Sequence, residues 1–510
     1  MVFGAYIAVL LGLALNAPAA LWNPEHRAFF LVVGTIGLWR YAWNLLHLLR
    51  SAWYRQVTFR RWRRLVDRLE TVAAAEPGDA GEALRVPQVF VVVTSYRIRA
   101  ETSALVFEAA LREAIAYGRP ATIVASVVEL ADQRLVKAVF ARLAPPPPVR
   151  LVIVRVRGTG KRDALALALR AIARLGPEPD AAVILQDGDA ILPPGCLART
   201  LPFFRLMPDL AGLTTDEDCV VDGGGRWMRS WHRLRFAQRH LLMSSMALTG
   251  RLITLTGRMA VYPARVATDP GFIDIIQNDS LNHWRLGRFR LLTGEDKSTA
   301  YWLLRRGARM LYVPDVRVVT IEHPPAPDLP RASTMLMLRW FGNMLRASGR
   351  AIALGPRRLG FFLWWCLVDQ RISMWTPLVG PVMALCLAVA ATPAFLYAYL
   401  IWVMLTRLLQ SLALLTVRPT IDGLYPALIY YNQLYGAFLK TWILFRLDRQ
   451  RWTRQNIALP ARLPPGRARL RALGSAYLHA LALATLVAAV AAYAGLLPVP
   501  PQAANLASWF

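Results

Sequence analysis

Apolar residues are gathered at the two ends of this 510-residue chain, in runs long enough to cross a bilayer. Met1 to about Trp22 and Phe29 to about Leu49 form one pair, and several more runs follow Gly360. A single soluble fold is therefore the wrong starting picture, although hydrophobic residues make up 55% of the whole. Between the ends, about 85 to 355, short apolar runs alternate with charged segments as in a soluble α/β domain. The first run closes on "NAPAAL", which looks like a cleavage site, but no Lys or Arg precedes it and a second run follows closely. An uncleaved anchor is expected.

The segment after the second run, "SAWYRQVTFRRWRRLVDRLE", is crowded with arginine, and the positive-inside rule puts it and the central domain in the cytoplasm. The segment 446 to 473 is equally basic, so an even number of crossings should separate the two. Three apolar stretches lie between them, at 361 to 396, 397 to 416 and 424 to 445. The third carries Asn432, Gln433 and Lys440 among tyrosines, which suits an interfacial or channel-lining helix. With a last run near 474 to 497, five spans are expected. The expected layout is two transmembrane helices in 1–50, a cytoplasmic domain in 51–358, an interfacial helix and transmembrane helices in 359–423, an interfacial helix and basic segment in 424–473, and a final transmembrane helix in 474–510.

A net charge of +28 would suggest nucleic acid in a soluble protein, but no nucleic-acid-binding signature accompanies it. Basic loops beside membrane helices and an anionic substrate are the simpler sources. Cys196, Cys219, Cys366 and Cys386 have no CxxC spacing and read as apolar fillers. His232, His240, His283 and His323 lack metal-ligand spacing.

Within the central domain, "VPQVFVVVTSYR", "ATIVASVVEL", "VRLVIVRVRG" and "AAVILQDGDAIL" read as strands, with helices between them. Nearly continuous Val/Ile/Leu in such strands implies a parallel sheet buried on both faces. Ligands bind outside the carboxyl ends of such sheets. Thr94 to Arg97, Glu129 and the pair Asp187 and Asp189 all fall there.

A D-x-D pair on a strand exit is suited to Mg²⁺ or Mn²⁺, leaving the other positions to water and phosphate. The plainer reading is a solvated loop. In "GTGKRDAL", Lys161 and Arg162 open a helix after a Gly-rich turn, a favourable place for a diphosphate, or else an ordinary turn. In "LLTGEDKSTAYWLLRRG", Glu295 and Asp296 either cap a helix or, in the case of Asp296, take a proton from an acceptor hydroxyl. In "LRWFGNMLR", Arg339 and Trp340 are either membrane anchors or a cover for a diphosphate and a sugar ring.

DGD, then GED, then RW, between membrane helices, resembles the processive family-2 glycosyltransferases, the group of cellulose, hyaluronan and chitin synthases. Within that group, "WHRLRFAQRH", "TGRMAVY", "DSLNHWRLGRFRLLTGEDKS", "EHPP" and "RLDRQRWTRQ" are similar to the catalytic polymerase subunits of bacterial alginate synthesis. The resemblance implies a GT-A-like domain inserted between transmembrane segments of the inner membrane. It also implies polymerisation of mannuronate from GDP-mannuronate, with the growing polymannuronate chain exported through the enzyme's own channel to periplasmic export and modification proteins. By the same resemblance, Asp187 and Asp189 hold the donor diphosphate and its metal, Asp296 is the general base, and Arg339 with Trp340 serves the diphosphate and the acceptor end. Lys161 and Arg162 match a basic "GKR", Arg258 lies in a segment beside the acceptor, and Trp452 with Arg454 matches a gating loop.

Leu336 stands where the family's Q-x-x-R-W motif has Gln, and "DQRISMW" is a second-ranked match with Ser373 in place of Arg. "SVVELAD" replaces an Asp-rich turn, leaving Glu129 or Asp132 for the nucleotide base. The family further implies a partner carrying a cyclic-di-GMP-binding PilZ domain, expected here on another subunit because little chain follows the last span. A polyuronate needs compensating cations, and Arg235, Arg239, Arg258, Arg285 and Arg288 are candidates. The rivals are synthesis of another polysaccharide from a UDP-sugar, transfer of a single sugar to a lipid phosphate, and a transporter with a regulatory domain.

Overall fold

A computed structural model describes residues 2–19, 27–75, 84–452, 457–458 and 464–497. The chain divides into two compact units, one of Met1–Leu46, Asp369–Leu447 and Ala461–Phe510, the other of His47–Val368 and Asp448–Pro460.

The second unit is built on strands β1 (Val89–Ser95), β2 (Ala121–Val127), β3 (Val149–Arg155), β4 (Ala182–Asp187), β5 (Ala190–Ile191), β6 (Leu210–Val221) and β7 (Ala260–Pro263), a hairpin of β8 (Ser280–His283) and β9 (Gly287–Arg290), and β10 (Arg309–Glu322). Eight of these form one sheet in the order β3-β2-β1-β4-β7-β6-β10-β5. The pairs β1/β2, β2/β3, β1/β4 and β6/β10 are parallel. β7 runs antiparallel between β4 and β6, and β5 pairs antiparallel with β10. This is the expected mostly parallel GT-A-like α/β fold. β2 is buried throughout and β1 nearly so, matching their unbroken apolar runs, whereas the edge strand β3 is half-exposed.

The crossovers are the helices Ala100–Tyr117, Leu130–Leu143 and Lys161–Arg174. The last turns Ala164, Leu165, Ala168, Leu169 and Ile172 to the core, the i, i+3, i+4 stripe of an amphipathic helix. The arginine-rich segment before the domain is a helix, Phe59–Ala75, entered through a π turn at Tyr54–Thr58. That turn buries Tyr54, whose hydroxyl donates to the Tyr312 carbonyl at 2.5 Å, and Arg63 pairs with Asp315 at 2.7 Å.

In the first unit, Ala394–Thr416 and Gly466–Tyr493 are long and apolar enough to cross a membrane. Phe361–Ile372, most of which belongs to the second unit, and Thr376–Ala390 of the first pass the same test together as a broken pair. Val2–Leu15 is apolar but has 14 residues, about 21 Å at 1.5 Å per residue, short of a hydrocarbon core of roughly 30 Å. Two or three long apolar helices among the described residues thus stand beside the five crossings read from sequence, and residues 20–26 lie outside the described residues. Helix Tyr425–Leu444 has polar partners within the unit: Gln433 donates to Gln410 at 3.1 Å, and the hydroxyls of Tyr430 and Tyr399 are 3.4 Å apart.

Candidate functional site

β4 ends at Asp187, in register beside Thr94 of β1. A Cβ at Gly188 would stand 2.3 Å from the Thr94 carbonyl oxygen and 2.6 Å from Ile98 Cδ1, so only glycine lets the chain press on β1 here. Gln186 donates to the Ala190 carbonyl at 2.6 Å, and the Asp189 carbonyl accepts the Ile321 N–H at 2.9 Å. The turn that carries both carboxylates is thereby fixed at each side.

Lys161, the first residue of its helix, forms ion pairs with Asp187 and with Glu295. Gly257 closes over this contact: a Cβ there would lie 2.8 Å from Lys161 Nζ and 3.0 Å from Asp187 Oδ2. Glu295 and Asp296 open the helix Glu295–Arg306, preceded by Gly294 at φ 85°, which packs against Asn343. Asp296 accepts a hydrogen bond from the Thr254 hydroxyl at 2.9 Å. Lys161, Thr256, Tyr262, Glu295, Asp296 and Thr299 line one cavity.

Burial works against charge on Lys161, but Asp187 and Glu295 outweigh it and raise its pKa. Burial also opposes the Glu295 carboxylate, yet Lys161 and Arg162 outweigh that and hold it at about 2. Asp187 goes the other way: burial, with Asp189 and Glu295 adding, raises it against the pull of Lys161. Lys161 is thus shared between Glu295, whose carboxylate it stabilises, and Asp187, whose burial outweighs the same pull.

Arg162 does not join Lys161. It is 4% exposed and donates to the carbonyls of Ile276 at 2.9 Å and Thr293 at 3.0 Å and to Ser298 Oγ at 3.0 Å. Ser298 in turn donates to Asp279, which Arg350 holds at 2.6 Å. Arg162 therefore positions the loop before Asp296. Arg258 likewise has its donors engaged, with Thr320 at 2.9 Å, Glu322 at 2.7 Å and Glu217 at 3.3 Å. Glu217 of β6 and Glu322 of β10 were not anticipated. The available signal was "TTDEDC", three acids within a strand, of which Asp216 and Glu217 are buried.

Trp340 stacks on buried Trp231, ring centroids 5.9 Å apart and planes at 23°. The Arg235 guanidinium lies 3.5 Å from the Trp340 centroid, and that of its neighbour Arg339 lies 5.9 Å away. Arg97 is exposed at φ 52°, over the Tyr96 ring, and Glu129 is exposed ahead of its helix without capping it by a side-chain bond. The structure brings together Thr94, Lys161, Asp187, Glu295 and Asp296, and leaves Arg97 and Glu129 on the surface. Leu336 is a core residue, 5% exposed.

The basic segment after helix Tyr425–Leu444 reaches the same loop. Gln450 accepts the Leu292 N–H at 2.9 Å and donates to the Arg290 carbonyl at 2.8 Å. Arg451–Trp452 then pairs with Ile457–Ala458 as a two-strand ladder. The Trp452 side chain and Arg454 lie outside the described residues.

Comparison with known proteins finds the family described as "Glycosyltransferase like family 2" over residues 87–343. A glycosyltransferase named alg8 from Pseudomonas syringae pv. tomato is 46% identical over 454 residues, covering 89% of this chain and 90% of that protein. The alg8 glycosyltransferase of Azotobacter vinelandii is 42% identical over 455 residues, with the same coverage. Among solved structures, a mannosyltransferase from Pyrobaculum calidifontis in complex with GDP-Man and Mn²⁺ aligns at 18% identity with a TM-score of 0.42, over 78% of this chain and 97% of that one.

Proposed function

This chain is a membrane-associated enzyme that belongs to glycosyltransferase family 2, and we propose that it polymerises mannuronate from GDP-mannuronate, as the catalytic subunit of an alginate synthase. The alg8 relatives at 42% and 46% identity support this reading. The observation that carries it is the meeting of Asp187, Lys161 and Glu295 under Gly257, with Asp296 lining the same cavity.

In this reading the donor diphosphate lies against the Asp187–Asp189 turn and Lys161. A divalent cation bound there, Mg²⁺ or Mn²⁺, would supply positive charge against the departing diphosphate. Asp187 and Asp189 would hold it. The donor chemistry suits such an ion, two carboxylates one residue apart on a single turn, and no larger group of three or more His, Cys, Asp or Glu is found among the described residues, so phosphate and water would have to supply the remaining ligands. The raised Asp187 pKa is the mark of a carboxylate that additional positive charge would stabilise.

Asp296 takes the proton of the acceptor hydroxyl, whose oxygen bonds to the sugar carbon as the bond to the diphosphate breaks, inverting that carbon. Thr254 orients Asp296 by its hydrogen bond. Gln450 and Arg162 hold the loop that presents it. Arg339 and Trp340 serve the diphosphate and the acceptor end. By the family resemblance Trp452 and Arg454 would act on the donor, as would Arg97 and Glu129, which are exposed beyond the ends of β1 and β2. The enzyme spans the bacterial inner membrane several times with its catalytic unit in the cytoplasm, exports its own product, and works with a PilZ-domain partner that binds cyclic-di-GMP.

The test is sugar incorporation by inverted vesicles, partner and cyclic-di-GMP present, with GDP-mannuronate or UDP-glucuronate, with and without Mg²⁺. Metal-dependent, mannuronate-lyase-sensitive polymer from the GDP donor alone is expected. Incorporation only from the UDP donor would reassign the polymer, and a lipid-linked single sugar would replace polymerisation altogether.

A further inference from the structure

Arg235, on the Trp340 ring, and two arginines whose charges act on it have different commitments. Arg258 is tied to Glu217, Glu322 and Thr320, and Arg239 to Glu217 at 3.1 Å. Arg235 has no ion pair within 4 Å among the described residues. Its guanidinium rests on two aromatic rings, 3.5 Å from the Trp340 centroid and 4.9 Å from that of Trp231. Trp231 is fully buried on helix Arg226–Ala247, so it fixes the plane of Trp340, which arrives on helix Leu329–Ile352. Arg235 and Trp340 themselves are half-buried and remain accessible.

The surroundings of Arg235 are cationic. Burial, then Arg258, Arg239 and Arg339, push its pKa down to about 9, with Glu322 opposing in part while its own Oε1 is bonded to Arg258. The charges that bear most on Lys161 are instead Asp187 and Glu295. Asp187 and Glu295 are not among the charges that bear most on Arg235, and Arg258, on which Asp187 acts, lies between the two groups of charges. A guanidinium with one face on an indole keeps its edge free for a planar anion, which it grips by two parallel N–H bonds. An indole face beside it is a platform for a sugar ring.

Resting on the mannuronate-polymerase reading above, the geometry points to Arg235 as the receptor for the carboxylate of the acceptor's end sugar, a residue that selects a uronate chain over a neutral one. Arg258 and Arg239 are held by Glu217, and Trp340, given the acceptor end in that reading, seats the Arg235 guanidinium.

The test is binding of a mannuronate tetrasaccharide and of its carboxyl-reduced counterpart to the detergent-solubilised full chain with GDP present, for wild type, Arg235→Gln and Arg235→Met. The wild type should prefer the acidic tetrasaccharide by about tenfold or more, the worth of one charge-assisted bidentate contact. Both variants should bring that preference to within about twofold, since the neutral sugar never used the contact. GDP binding reports whether each variant is folded, and the apolar Arg235→Met keeps contact with Trp340 if Arg235→Gln does not fold. Full preference in a variant that binds GDP normally would overturn the inference, as would loss of selectivity for GDP-mannuronate over GDP-mannose with the tetrasaccharide preference intact. Absence of polymer from the wild type in the vesicle assay would instead sink the polymerase reading on which the inference rests.

Discussion

At the scale of single residues, Asp296 and His232 make the sharpest claims. Asp296→Asn keeps the shape and the Thr254 contact but cannot take a proton, so initial incorporation should fall by about 10² to 10⁴ while GDP affinity stays near that of wild type. Rate and binding measured on one preparation decide it, and an unaltered rate would remove Asp296 as the base. His232 is 2% exposed, and burial with the charges of Arg235 and Arg258 holds it down at about 4 from 6.5 against the pull of Glu322. A depressed histidine contributes stability above its ordinary pKa and loses it as pH falls toward the folded value. Between pH 6.5 and 4 the loss should reach about 3 kcal/mol, and a His232→Phe variant in detergent should show a flatter melting temperature over that range. At this scale the sequence was partly legible. The sequence put Asp187, Lys161 and Asp296 forward as candidates, which the structure gathers near one cavity, but nothing in "GKR" says that Lys161 faces that cavity while Arg162 turns inward to backbone carbonyls. Two neighbours on a helix point about 100° apart, and only tertiary packing decides which of them meets the site.

At the scale of elements, glycines and one glutamine set the geometry. Gly257→Ala places a methyl 2.8 Å from Lys161 Nζ, the end of a flexible side chain, so the fold should survive while the Lys161–Asp187 contact is displaced. Donor affinity, read by GDP titration, should fall by about tenfold, the effect of weakening one charge-assisted contact. Gly188→Ala meets a backbone oxygen at 2.3 Å and has no such relief, so the turn must shift and the melting temperature should drop. Gln450→Ala removes two hydrogen bonds of about 1 kcal/mol each and should speed amide exchange at Leu292. The strands β1, β2 and β4 were readable because they are buried and run apolar almost without interruption, and β3, though half-exposed at the sheet edge, keeps the apolar run Leu151–Val154. β6 and β10 were not, because Asp216, Glu217 and Glu322 break the apolar pattern while being buried among arginines and a histidine. A four-residue antiparallel strand such as β7 has no periodicity to detect.

At the scale of the whole molecule, the apolar ends and the α/β middle were legible from composition alone, since lipid and a folded core impose different run lengths on the chain. The helix count is harder, because Ser373–Trp375 interrupts one apolar stretch and polar residues are spread through Tyr425–Leu444. Purified membranes treated with a chelator should lose incorporation and recover it with Mg²⁺ or Mn²⁺. The Gln450 clasp also has a consequence in time. Gln450 is made 158 residues after Leu292, whose N–H it receives. At about 5 to 20 residues per second, a ribosome needs roughly 8 to 30 s to cover that interval. For that period the nascent chain carries the loop before Asp296 without its last fastening, and the fastening arrives only when most of the protein has been made.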